Sequence, residues 1–158
     1  MRKSISPQIL LIQRKIEQEF ADIPRPQAFT DSGHCCECAD HNKTLSNFSP
    51  ATISFTELGN PGWDPVCFMT DEAFKYFFPA FCRLAASSEG ETWYLDQFLF
   101  HLAADGKRNS RWQSFSTFQR ELVREYLEIL LEANTEKIEF NCSTDLFLEA
   151  LEIWSDKE

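Results

Sequence analysis

Nine consecutive residues, Gly33-His34-Cys35-Cys36-Glu37-Cys38-Ala39-Asp40-His41, hold three of the six cysteines and two of the three histidines. Cys35 and Cys38 have the spacing at which two thiolates of a zinc knuckle reach one tetrahedral ion. His41, three residues on, and His34, directly before Cys35, can add imidazole, and zinc accepts nitrogen and sulfur together because it is borderline soft. A second half is missing: the chain has no further CxxC and no HxxxH. Further ligands from Cys67, Cys82, His101 or Cys142 must therefore arrive through folding. Two other readings stay open at this point. A CxxC that starts a helix can have an acidified thiol and do redox chemistry, although no βαβ pattern surrounds this one and a thioredoxin-like fold is disfavoured. The three cysteines can also be small residues in a surface turn that bind nothing.

Other chemistry is sparser. Cys82 and His101 fall on successive helices and could meet as a thiol–imidazole pair, but burial in the core is the ordinary fate of such residues. No GxSxG, HExxH, glycine-rich phosphate loop or paired-carboxylate motif occurs, and nothing demands an enzyme. Glu121, Glu125, Glu128 and Glu132 recur at steps of four, three and four, which lines them along one side of a helix. That row reads either as a docking face for a basic protein, where charge speeds encounter, or as a solvated helix face. Lys107, Arg108 and Arg111 beside Trp112 form the one basic cluster, either an anion site or a helix-ending loop near a negative C-terminus. Trp63 either covers the edge of the core or lines a ligand site.

Helices must position these residues. Thr70 to Ser87 is organised around Phe74, Phe77, Phe78, Phe81 and Ala85, an aromatic stripe at three- and four-residue steps. Thr70 is its expected N-cap, and Pro79 falls with Glu72, Lys75, Tyr76 and Arg83 on the opposite, outer side. Ser6-Pro7 opens a helix over about 7–22 with Ile9, Ile12, Ile16 and Phe20 inward. Further helices are expected over Glu91–Ala104, about 116–133 (Phe118, Leu122, Tyr126 and Leu130 inward), and from Ser143 to the C-terminus. Part of Glu37–Phe48 can form a short one. Thr52–Leu58 alternates and is β-branched, so a short hairpin with Val66–Met69 across the Gly59-Asn60-Pro61-Gly62 turn is allowed. A brief extended piece is allowed at Lys137–Phe140. The expectation is a mainly α, single compact domain over 1–158, of about five helices with at most that hairpin.

The totals agree with a packed helical core: 15 Phe stand against 5 Gly in 158 residues. A formal net charge of −10 argues against general nucleic-acid binding and against anionic membrane surfaces. The charge is uneven, net −2 over residues 1–65 and net −8 over 66–158. No apolar run approaches a membrane span. The Met1-Arg2-Lys3 start leads into an amphipathic stretch broken by Gln8, Gln13, Arg14 and Lys15, unlike a signal peptide. A cytoplasmic location with reduced thiols is the expectation, which disfavours a disulfide scaffold.

Three stretches carry a resemblance: Cys35-Cys36-Glu37-Cys38, Met69-Thr70-Asp71-Glu72-Ala73-Phe74-Lys75-Tyr76-Phe77-Phe78-Pro79-Ala80-Phe81, and Phe115-Ser116-Thr117-Phe118-Gln119-Arg120 with Tyr126 and Leu127. Together they resemble a family of small bacterial proteins, a domain of unknown function with an early CxxC or CxEC element and a Phe/Tyr-rich helix containing Pro-Ala. The resemblance implies one domain and brings no activity or catalytic residue with it. Two functions follow as expectations. One is a non-enzymatic, acidic protein-interaction domain of immunity or antitoxin type, using Glu121, Glu125, Glu128 and Glu132 against a basic partner. The other is a zinc-binding module using Cys35, Cys38, His41 and His34.

Overall fold

The helix Asp71–Ala86 (α4) lies at the centre of the computed structural model, which describes residues 4–157. Thr70 caps it as expected: the hydroxyl accepts the Ala73 N–H at 3.1 Å, and Asp71 and Glu72 sit in the positively polarised first turn. Phe74, Phe77, Phe78 and Phe81 are at most 1 % exposed. Burying each such ring stabilises the fold by roughly 1.5–3 kcal/mol. Phe78 meets Phe115 edge to face at 5.1 Å between centroids and Phe20 at 5.2 Å. Phe78→Ala would remove one ring from four aromatic contacts at this centre, with Phe20, Phe74, Phe98 and Phe115.

Four helices build the core with it. Pro7–Phe20 (α1) starts at Ser6, whose hydroxyl accepts the Gln8 N–H, and buries Ile9, Ile12, Ile16 and Phe20. Leu95–Ala103 (α5) buries Leu95, Phe98, Leu99 and Leu102. Thr117–Phe140 (α7) starts from a capping box of Ser116 and Gln119 and packs along α1. Thr144–Ser155 (α8) packs on α5 and α7, and the Trp154 indole donates to the Leu102 carbonyl at 2.9 Å. The Tyr126 hydroxyl donates to the Cys82 carbonyl at 2.6 Å, which ties α7 to α4. Three further α-helices complete the set among the described residues: Cys36–Leu45 (α2), Phe55–Leu58 (α3) and Ser110–Ser114 (α6). The buried side chains form one cluster from Ile9 to Trp154.

The mainly α expectation holds, and several details do not. The chain has eight α-helices among the described residues where about five were expected, and no hairpin forms. Over 52–69, Ser54 and Glu57 close a capping box around α3, and this local bonding overrides the alternating pattern. Two 3-10 turns follow, Pro61–Trp63 and Pro65–Phe68, each started by an Asn or Asp side chain ahead of proline. An isolated bridge between Thr30 and Met69 is the only β pairing among the described residues. The extended piece at Lys137–Phe140 is instead helix, continued past a kink at Asn134 (φ −129°, ψ 22°). Pro79 is buried, because Arg83 holds the backbone of Pro50 and Ile53 over that side of α4 at 3.0 and 2.9 Å. Phe118 is 56 % exposed and stands outside the stripe assigned to it.

Candidate metal centre

The first turn of α2 is pinned before its side chains are considered. Asn42 Oδ1 accepts the N–H groups of Phe29 and Thr30 at 2.8 and 3.2 Å, and the Thr30 hydroxyl donates to the Cys38 carbonyl at 2.6 Å. The Thr70 N–H donates to the Phe29 carbonyl at 2.9 Å, which fixes the same loop to the start of α4. Cys35 is the N-cap of α2, in extended conformation, and its sulfur accepts the Cys38 N–H at 3.4 Å. A thiolate there takes the position usually held by a Ser or Asp oxygen, facing the helix's free N–H groups.

This geometry brings three of the expected ligands together. The sulfurs of Cys35 and Cys38 are 3.3 Å apart, and Cys38 Sγ is 3.6 Å from His34 Nδ1. The donor atoms of His34, Cys35 and Cys38 all lie within 4.8 Å of one another. His34 and Cys35 face solvent while Cys38 is buried. The Cys38 N–H, with the His34 and Cys38 side chains, lowers the Cys35 thiol to about 7. Its hydrogen bond to Cys35, aided by burial, pushes the Cys38 thiol up. The hydrogen bond to Cys35 likewise raises His34.

His41 is not brought to this group. It lies a helical turn deeper, 1 % exposed, with its ring 4.6 Å from that of Trp63 and stacked on Phe68 at 5.2 Å. Its Nε2 is 3.5 Å from Glu37 Oε1 and makes no hydrogen bond. Trp63 thus covers His41, the packing role of its two readings.

A second group escaped the sequence reading. Asp64 caps the turn Pro65–Phe68 by accepting the Val66 N–H on Oδ1 at 2.9 Å. Its Oδ2 is 2.7 Å from His101 Nε2 and accepts from Gln97 Nε2 at 3.1 Å. Asp64 and His101 are 6 % and 4 % exposed, and the donor atoms of Asp64, Cys67 and His101 lie within 4.8 Å of one another. The thiol of Cys67, on an exposed residue, is pushed up by partial burial and by the Asp64 charge. His101 therefore meets Cys67, whereas Cys82 is fully buried in α4 with its thiol pushed well up by desolvation. Two features of the sequence pointed here: Asp64-Pro65 as a turn start, and Gln97 and His101 four residues apart on a largely apolar helix.

The charged candidates are largely engaged. Glu125 pairs with Lys15 of α1 at 3.1 Å, and Glu128 takes Arg124 on both oxygens at 2.9 and 3.0 Å. Glu121 and Glu132 are exposed and pair with no described cation; Glu132 lines a cleft of about 770 Å3 beside the Asn134 kink. In the basic stretch, Lys107 pairs with Asp156, and Arg111 bonds the carbonyls of Val66 and Met69 with its guanidinium over Phe74. Arg120 lies 3.7 Å from the centre of the buried Trp112 ring. These cations hold the fold together. Among the described residues no helix is long and apolar enough to cross a membrane. Compared with known protein families, with characterised proteins and with solved structures, the chain finds no match.

Proposed function

We propose that this chain is a zinc-binding module whose ion is held by His34, Cys35 and Cys38. The observation that carries the reading is the convergence of two sulfurs and one imidazole nitrogen at the first turn of α2. Tetrahedral zinc, with Zn–S of about 2.3 Å and Zn–N of about 2.0–2.1 Å, sets its ligands about 3.8 Å apart for a sulfur pair and about 3.5 Å for sulfur and nitrogen. The Cys38–His34 spacing of 3.6 Å already fits, and the sulfur pair, at 3.3 Å, has only to open slightly. A divalent ion also relieves the conflict between two thiols competing for one negative charge. Three ligands leave a fourth position for water, a partner's side chain or Asp31, whose charge both His34 and Cys38 feel.

The test is elemental analysis of tag-free protein purified in reducing buffer without added metal. Cys35→Ser with Cys38→Ser is expected to remove one equivalent of zinc, and His41→Ala to remove none. Unchanged metal content in the double variant overturns the reading.

One observation favours a second reading, a dithiol that exchanges with disulfides. The exposed Cys35 thiol is the acidified one, and the buried Cys38 stands behind it as a resolving thiol. The pair would give two electrons and two protons to a disulfide acceptor and close to an S–S bond of about 2.05 Å. That closure is a larger movement than metal binding requires, so zinc ranks first. A protein-interaction role for α7 ranks below both, since its row of four carboxylates is interrupted by Lys15 and Arg124.

A further inference from the structure

The sequence offered the first cluster openly; the second is assembled only by folding, and its chemistry is just as specific. Asp64, Cys67 and His101 present a carboxylate, a thiol and an imidazole, the three donor types zinc accepts. The carboxylate is held on one oxygen by the Val66 N–H, which aims the other at His101. Two polar atoms at the start of α5, the hydroxyl of its N-cap residue Tyr94 and Gln97 Oε1, are buried without a hydrogen-bond partner. Buried orphans of this kind point to an ordered water or ion at their side. Gln97 is tied to the group directly, because its Nε2 donates to Asp64 Oδ2 at 3.1 Å.

We propose that Asp64, Cys67 and His101 form a second site for a divalent transition ion of zinc's kind, independent of the cluster at α2. Nitrogen and oxygen ligands on one tetrahedral zinc stand about 3.3 Å apart, so the His101–Asp64 pair, now at 2.7 Å, has to open by a fraction of an ångström. The ion displaces the Cys67 proton and any proton shared between His101 and Asp64, so loading releases protons to solvent. The competing account is a structural clamp, in which Asp64 and His101 merely tie the turn Pro65–Phe68 to α5. A clamp has no use for a thiol. Cys67 is exposed, and changing it leaves the clamp intact.

The experiment loads full-length protein with zinc alone and, in parallel, cobalt(II) alone. It compares the natural sequence, Cys35→Ser/Cys38→Ser, and the triple variant that adds Cys67→Ser, with circular dichroism checking the fold of each. The expected metal content is two, one and none per chain, with sulfur-to-cobalt absorption surviving in the double variant and vanishing in the triple. A double variant that binds nothing overturns the second site and leaves the first reading standing. A triple variant that binds as tightly as the double overturns it too. If the natural protein and the double variant both hold one equivalent that needs Cys67, the second site stands and the first reading falls.

Discussion

The two donor groups are built by opposite means. His34, Cys35 and Cys38 lie within five consecutive residues, mostly in solvent, and converge because a helix begins there. Asp64 and His101 are 37 residues apart, almost wholly buried, and converge because α5 packs beside a turn that Asp64 itself caps. The first group contributes little to the fold, since nothing in the core rests on its exposed members. The second is joined to the fold through Val66, Gln97 and the Leu58 carbonyl, which Gln97 also bonds at 3.0 Å. A site whose ligands are local can change without unfolding the protein, and one built from long-range contacts cannot.

The sharpest separation is in stability. His101→Ala leaves the buried Asp64 carboxyl without its shortest side-chain hydrogen bond, and losing a buried hydrogen bond of this kind costs up to about 3 kcal/mol. For a chain of this size that is a fall of up to roughly 10 °C in melting midpoint, measurable by thermal denaturation of metal-free protein. A midpoint unmoved by His101→Ala would mean that the pair carries no structural load, and the contrast between the groups would collapse.

That contrast also explains what could be read in advance. The Thr70 cap, the α4 aromatic stripe and the Ser6-Pro7 start depend on residues within a turn or two of one another, and each formed where expected. The capping box Ser54-x-x-Glu57 is equally local, and its hydrogen bonds outweigh the alternation of β-branched residues across it. His41 shows the limit of spacing. Three residues after Cys38 it shares the buried stripe of α2 with Cys38 and Leu45, and only the arrival of Trp63 and Phe68 turns its ring into core. The Asp64–His101 pair left only an Asp-Pro turn and the spacing of Gln97 and His101 as local traces, because its geometry belongs to the packing of α5.

Thiol reactivity gives a second, smaller separation. In reduced, metal-free protein about half of Cys35 is thiolate near pH 7, whereas Cys67 has been pushed above the ordinary thiol range. A lower pKa also weakens the nucleophile, so the advantage shrinks to about fivefold or more at pH 7. Iodoacetamide labelling read by mass spectrometry is expected to modify Cys35 ahead of Cys67. The Cys35 rate falls as pH drops through about 7 and levels off above it. The Cys67 rate keeps rising into alkaline pH. Equal rates with a shared midpoint would remove the electrostatic distinction between the two clusters.

The smallest expected effect is the one that isolates metal from fold. His34 is exposed and touches the cluster only through its imidazole, which lies 3.6 Å from Cys38 Sγ and also bonds Cys35. In metal-free protein His34→Ala is therefore expected to leave the melting midpoint where it was. With zinc in excess the natural protein gains stability in proportion to the logarithm of its saturation, and a variant lacking one of three ligands gains less. A difference between the two proteins that appears only with zinc assigns His34 to the ion. A loss of stability in metal-free His34→Ala as large as that of His101→Ala would instead make His34 a structural residue, and would leave Cys35 and Cys38 as a dithiol without a third ligand.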